Sequence, residues 1–325
     1  MQLTESLARR ALQNYPIEIR GVTPLRASEN LTWRVEDQQG HAYLLRVHRS
    51  NSTVLGGARQ RPNMIQSELE WLAILHAGGM PVQRPQRSKL GKYVSLMDMD
   101  GLPVPCTLLS WLDGENYDPS IHATPALIRN FALLTAFLHS QATIWTIPKG
   151  FARPNYGVEH FQSLFESLHG GVEKNLISNE DWGTLRRVSE RLLQTIESSC
   201  ALTNLWGIIH ADLHSGNLLV RGEDVLVIDF SLCGYGSFLF DLSIALVAGV
   251  PAEYRRAYLE TYRRNRPFSD DLLPMLEAYC LAGVLSYCAY QVGNPEQWEW
   301  LTNRIPRLAQ GECRKYLNGQ VVYLE

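Results

Sequence analysis

The chain of 325 residues is poor in lysine. Lys89, Lys92, Lys149, Lys174 and Lys315 are its five, and arginine carries the rest of the positive charge. With Lys+Arg 30 against Asp+Glu 33 the formal net charge is -3, so the charge balance calls for neither a nucleic acid nor an anionic membrane as partner. No C-x-x-C pair occurs among Cys106, Cys200, Cys233, Cys280, Cys288 and Cys313. That argues against a zinc site or a disulfide framework and leaves reduced thiols as the expectation. The two most apolar stretches, 238–250 and 278–292, read as too short or too polar to span a bilayer. Residues 1–15, with Glu5, Arg9 and Arg10, read as an amphipathic helix rather than a leader. The expectation is a soluble, cytoplasmic protein. Internal repeats, low-complexity segments and any sign of an oligomeric state are also missing. The composition, 45% hydrophobic and 19% charged, is that of an ordinary globular protein, and the length suffices for two domains or for two lobes sharing a cleft.

Polar chemistry concentrates in one stretch, 206–242: W-G-I-I-H-A-D-L-H-S-G-N-L-L-V-R-G-E-D-V-L-V-I-D-F-S-L-C-G-Y-G-S-F-L-F-D-L. Two apolar runs, 218–220 and 225–228, flank Arg221-Gly222-Glu223-Asp224 and predict a hairpin. A turn centred on Gly222 and Glu223 returns Asp229 toward Asn217, with Asp212 just upstream. One Mg²⁺ could take oxygen ligands from Asn217 and Asp229 and keep sites for phosphate and water. Asp212 is then left to accept a proton. A carboxylate base with an Asn and an Asp metal ligand is the division of labour that phosphoryl transfer from ATP requires.

The run H-A-D-L-H-S-G-N followed by V-I-D-F resembles the aminoglycoside phosphotransferase and choline-kinase-like family of small-molecule kinases, whose catalytic loop reads H-x-D-x-x-x-x-N. The resemblance implies a protein-kinase-like α+β fold in two lobes. The first, 1–112, would be a small antiparallel sheet with one main helix that binds nucleotide. The second, 113–325, would be larger, mostly helical, and carry catalysis and the acceptor. It further implies roles by position. Ser28, Asn30 and Thr32 match an S-x-N-x-T loop over the ATP phosphates, here without the glycines of a Gly-rich loop. Arg46 stands in the third strand where the family often carries Lys for the α- and β-phosphates, a wide fork in place of a point charge. Glu68 matches the position that orients that cation, with Glu70 as the alternative. L-L-S-W-L-D-G-E resembles the hinge, where the backbone of Ser110 and Leu112 would face adenine. His210 would brace the loop. Asp241, in D-L-S, would cap a helix and hold the loop backbone.

The rest of the chain supports that reading in outline. Strands are expected over 17–25, 33–36, 41–48, 93–97 and 104–111, and a helix over 63–76 whose stripe is Ile65, Leu69, Leu72 and Leu75. Beyond Asp118 the pattern is helical: 125–140, 161–168, 182–195, 251–265, 271–291 and 295–317, with 143–157 a loop. The five arginines Arg255, Arg256, Arg263, Arg264 and Arg266 read as a solvated face. Tyr279, Tyr287, Tyr290, Trp298 and Trp300 are candidates to line an acceptor pocket, and no acidic cluster suits a polycationic acceptor. The expected activity is transfer of the ATP γ-phosphoryl group, with Mg²⁺, to a hydroxyl of a small molecule of amino-alcohol, amino-acid or sugar type. Three rivals stay open: a protein Ser/Thr kinase, a metallohydrolase using the H-x-D-x-H cluster of His210, Asp212 and His214, and a nucleotide-binding module without turnover.

Overall fold

The computed structural model describes residues 3–27, 30–49, 61–99 and 101–324. The chain divides into two compact units. The first holds 1–115 together with two later segments, 146–153 and 226–231; the second holds 116–145, 154–225 and 232–325.

The first unit opens with α1 (Glu5–Leu12), capped by Thr4, whose hydroxyl accepts the Leu7 N–H at 3.4 Å. Three strands follow, β1 (Ile19–Ala27), β2 (Asn30–Asp37) and β3 (Ala42–His48), then α2 (Pro62–Ala77), β4 (Ser95–Met99) and β5 (Leu102–Ser110). The strands form one antiparallel sheet in the order β1-β2-β3-β5-β4. Strict alternation along β2 turns Leu31, Trp33 and Val35 inward. They pack with Leu45, Val47, Met97, Cys106 and Leu108 and with Leu7, Ala8, Ala11, Leu12 and Tyr15 of the first turns of the chain. The Tyr15 hydroxyl donates to Cys106 O at 3.0 Å, and burial pushes its pKa well up. The expected stripe of α2 is the buried one, joined by Ser67, Glu68 and Trp71.

The chain passes into the second unit within the two-residue strand β6 (Glu115–Asn116), followed by α3 (Pro119–His122) and the long α4 (Pro125–Ile144), capped by Thr124 and started by Pro125. Then come α5 (Val158–Ser167), α6 (His169–Glu173), α7 (Asn179–Cys200), β7 (Trp206–Ile209), β8 (Leu218–Arg221), β9 (Asp224–Val227) and β10 (Gly234–Ser237). The remainder is α8 (Phe238–Ala248), α9 (Arg255–Asn265), α10 (Leu273–Gln291), α11 (Trp298–Leu308) and α12 (Arg314–Leu317). β7 pairs antiparallel with β10. The predicted hairpin is present: β8 neighbours β9, and Gly222 sits at the turn with φ 63°.

Two expectations need correction here. The stretch 278–292 is part of a longer helical run, 270–291, which by length and composition alone could cross a membrane. Its apolarity has a nearer cause, because 56% of its apolar window is buried inside the protein. The arginines of α9 and its exit are not one solvated face. Arg255 Nε donates to Leu246 O at 2.7 Å, Arg263 Nη2 to Phe268 O at 2.9 Å, and Arg266 Nη1 to Ser140 Oγ at 3.3 Å, leaving Arg256 and Arg264 as the exposed pair. Of the five aromatics, Tyr279 is core, with its hydroxyl 2.7 Å from Ser199 Oγ. Trp298 Nε1 donates to Val292 O at 3.2 Å, while Tyr287, Tyr290 and Trp300 are exposed.

Candidate active site

The loop between β7 and β8 is held by hydrogen bonds among its own polar groups. Asp212 O accepts the His214 N–H at 2.9 Å and His214 O accepts the Asn217 N–H at 3.0 Å, which winds the loop into a short helical turn. The Asn217 amide nitrogen donates to Asp212 Oδ2 at 2.7 Å and to Asp212 O at 3.0 Å. That fixes the direction of the Asp212 carboxylate and turns the Asn217 carbonyl oxygen the other way. His210 is fully buried, and its Nδ1 accepts the Asp212 N–H at 3.2 Å. Ala211 between them has φ 66°, a left-handed backbone that an alanine takes up only against a steric cost.

What holds that conformation comes from α8 and α4. The Asp241 carboxylate accepts the N–H of His210 at 2.8 Å and of Ala211 at 2.7 Å. His139 of α4 lies 3.1 Å from Asp241 Oδ2 through Nε2 and 2.8 Å from the Tyr262 hydroxyl through Nδ1, its ring stacked on Phe238. Burial lowers the His139 pKa, which keeps the ring neutral, one nitrogen donating and the other accepting. Of the two roles expected of Asp241, the helix cap falls to Ser237, which accepts the Leu239 N–H at 3.3 Å, while the hold on the loop backbone is the one its carboxylate makes.

His214 was visible only as a member of a metal-type cluster. Its Nδ1 accepts the Gly216 N–H at 3.0 Å, and its Nε2 faces Asp212 Oδ2 at 3.5 Å. His210 turns its Nδ1 back onto its own loop, so the three side chains do not converge, and among the described residues no group of three His, Cys, Asp or Glu side chains is arranged to hold a metal ion.

The first unit carries the other candidates. Arg46 of β3 donates from Nη2 to Glu68 Oε1 of α2 at 2.8 Å, and both side chains are buried. Glu70 instead accepts from Gln66 of its own helix at 2.9 Å. Arg46 Nε and Glu68 Oε2 are buried without a hydrogen-bond partner among the described residues. Asn30 and Thr32 belong to β2 rather than to a loop, because the strand begins at Asn30. They lie opposite His48 and Arg46, and Thr32 Oγ1 donates to Arg26 O at 3.3 Å. Asn30 Oδ1 is buried and without a partner among the described residues. Ser28 lies outside the described residues. The Ser110 N–H already donates to Arg84 O at 2.8 Å, and its carbonyl accepts from Gln83 Nε2 at 3.4 Å. Trp111 N–H donates to Ala42 O at 3.0 Å, and Leu112 follows, half-buried. Asp229, two residues past β9, has φ 61°, and its Oδ1 accepts the Ser231 N–H at 3.3 Å.

These donor sets fit a nucleotide and a hard cation. The Arg46 Nε, a buried donor without a partner among the described residues, suits a phosphate oxygen. Asn217, with its amide nitrogen committed to Asp212, offers a neutral oxygen of the kind Mg²⁺ takes, and Asp229 offers a carboxylate.

A sequence profile of the phosphotransferase enzyme family matches residues 21–272. The chain belongs to that family. Among curated relatives of this phosphotransferase family member, an uncharacterized protein of Synechocystis is 27% identical over 210 residues, 63% of this chain and 56% of that protein. Amicoumacin kinase of Bacillus subtilis (strain 168) is 24% identical over 211 residues, 63% of this chain and 60% of that protein. The match thus spans less than two thirds of the length of either relative. Among solved structures, an amicoumacin kinase with AMP-PNP, Ca²⁺ and Ami aligns with TM-score 0.77 and 18% identity over 94% of this chain and 93% of that one. A microcompartment-associated aminopropanol kinase aligns with TM-score 0.75 and 24% identity over 99% and 100%. Choline kinase of Cryptosporidium parvum aligns with TM-score 0.71 and 13% identity over 98% of both chains. The fold is the protein-kinase-like α+β one expected: a small antiparallel-sheet unit with one main helix, and a larger, mostly helical unit.

Proposed function

We propose that this phosphotransferase family member is a small-molecule kinase that moves the γ-phosphoryl group of ATP to the hydroxyl of an amino-alcohol, amino-acid or sugar-type acceptor. The observation that carries the reading is the Asp212 carboxylate, held in one direction by the Asn217 amide at 2.7 Å on a loop whose backbone is clamped by Asp241. Residues 1–112 would supply the nucleotide side, and 113–325 catalysis and the acceptor.

In this reading Asp212 aligns the acceptor hydroxyl and takes its proton. Phosphoryl transfer through a loose transition state needs that proton removed only late, so a carboxylate suffices as base. Arg46, oriented by Glu68, holds the α- and β-phosphates with a planar fork. Asn30, Thr32 and Ser28 bound the phosphates, and the main chain at Ser110 and Leu112 the adenine, with Leu112 the better placed because the Ser110 N–H is already engaged. Asn217 and Asp229 would hold Mg²⁺, which when bound supplies charge neutralisation at the phosphate oxygens. His210 keeps the loop turned through its bond from the Asp212 N–H.

The test is ADP release from Mg²⁺-ATP against a panel of amino alcohols, hydroxy amino acids, choline-like compounds and sugars. Turnover with a small hydroxyl compound supports the reading. Phosphate transfer only to polypeptide makes the protein a protein kinase, nucleotide binding without turnover makes it a binding module, and absence of nucleotide binding removes the kinase reading.

A further inference from the structure

The segment 146–153 lies within the stretch 143–157 that reads as a loop in sequence, yet it ends on a buried arginine. Arg153 is 8% exposed. Its guanidinium reaches carbonyls on two separate stretches of the first unit. Nη1 donates to Met64 O at 3.0 Å, and Nη2 donates to Phe230 O at 3.4 Å and to Ser231 O at 2.5 Å. Met64 is on the first turn of α2, and its carbonyl lies one helical turn before Glu68. A second fastening sits beside it. The Ala152 N–H donates to Ser67 Oγ at 2.9 Å, and Ser67 Oγ donates to Asn63 O at 2.9 Å. Ser67 is the residue before Glu68.

The other stretch begins directly after Asp229. That residue is one of three non-glycine positions with a left-handed backbone among the described residues, and the other functional one, Ala211, is held by the Asp241 carboxylate. A strained turn persists only where its surroundings hold it. At Asp229 the carbonyls of the next two residues are gripped by Arg153. A planar fork can serve two separate stretches at once, whereas an ammonium on a flexible stem cannot hold the same geometry.

We propose that Arg153 is a positioning residue that locks the Asp229 turn to α2, so that the metal-binding carboxylate and the Arg46–Glu68 pair are held as one body. The role assigned to Asp229 rests on the kinase reading above; the mechanical link does not. A shift of α2 is then transmitted to Asp229, and the cation and phosphate contacts are set together.

The experiment compares wild type, Arg153→Met, Arg153→Lys and Ser67→Ala as full chains. Amide hydrogen exchange is read first, without nucleotide or metal. Exchange across 229–231 is expected to be about 10-fold faster in Arg153→Met, with the β1–β5 sheet unchanged, as for a local rather than global opening. Arg153→Lys is expected not to restore protection, and Ser67→Ala to loosen the start of α2. Should Arg153→Met fail to fold, the other two variants carry the comparison. Binding of AMP-PNP is then titrated against Mg²⁺. The Mg²⁺ concentration for half-saturation is expected to rise several-fold in the Arg153 variants. Wild-type exchange at 229–231 in every folded variant overturns the link, and so does a uniform loss of protection over the whole chain. Faster local exchange with unchanged Mg²⁺ dependence overturns the coupling to the cation. Failure of the wild type to bind Mg²⁺-AMP-PNP would count against the kinase reading and overturn the cation coupling, while the exchange result still decides the mechanical link.

Discussion

Asp241 and Ala211 show most clearly how single residues prepare this site. The left-handed Ala211 costs conformational energy, and the Asp241 carboxylate, itself oriented by His139, offsets it by taking two consecutive N–H groups. Asp241→Asn keeps the size but gives up charge-assisted bonds to buried donors. A loss of about 2 kcal/mol or more is expected in urea unfolding, together with a fall in kcat. Ala211→Gly removes the strain and keeps both N–H bonds. It is expected to be neutral or to stabilise by up to about 1 kcal/mol, and a lowered urea midpoint would refute that account of the loop. Glu68→Ala leaves the Arg46 guanidinium buried and unpaired. A cost of about 3–5 kcal/mol is expected, with weaker nucleotide binding, and a stable variant with unaltered binding would count against the pair.

Among elements, the 210–217 loop and the hairpin after it were the most legible, because their signals are local. Apolar runs flank Gly222 at fixed spacing, and His210, Asp212 and Asn217 fall within eight residues of one another. The stripe of α2 was legible for the same reason. Asn30 and Thr32 were not, since polar residues at a strand start look like loop until pairing with His48 and Arg46 decides the matter. His139 and Arg153 were invisible as positioning groups. Their partners Asp241, Met64 and Ser231 lie 102, 89 and 78 residues away in sequence, and no periodicity encodes such contacts. One element also carries a pH dependence. His160 of α5 lies against the rings of Tyr156 and Phe161 at 4.7 and 5.3 Å, and burial pushes its pKa down to about 4. The unfolded chain takes up a proton near pH 6.5 and the folded one only near 4, so stability falls as pH drops through that window and is flat above it. His160→Phe is expected to flatten the melting temperature between pH 6.5 and 4, and an unchanged slope would refute the assignment.

At the scale of the whole molecule, a ligand that binds only the folded state stabilises it by mass action. AMP-PNP with Mg²⁺ at about 100 times its dissociation constant is expected to add about 2.7 kcal/mol, a shift of several degrees in thermal unfolding. If Asn217 and Asp229 hold the cation, chelation with EDTA removes most of that shift. An equal shift with EDTA present would mean that nucleotide binds without them. The family and the fold were legible from one motif, whereas the acceptor was not, because the sequence of the C-terminal helices carries no motif that names one.

The most direct measurement is single-turnover phosphoryl transfer from Mg²⁺-ATP to whichever acceptor the panel yields, wild type beside Asp212→Asn. The expected result is a rate lower by about 10²-fold or more, with the nucleotide dissociation constant within about two-fold, since Asp212 serves the acceptor and not the phosphates. A variant that transfers at the wild-type rate would show that Asp212 is not the base, and the placing of the active centre on this loop would have to be abandoned.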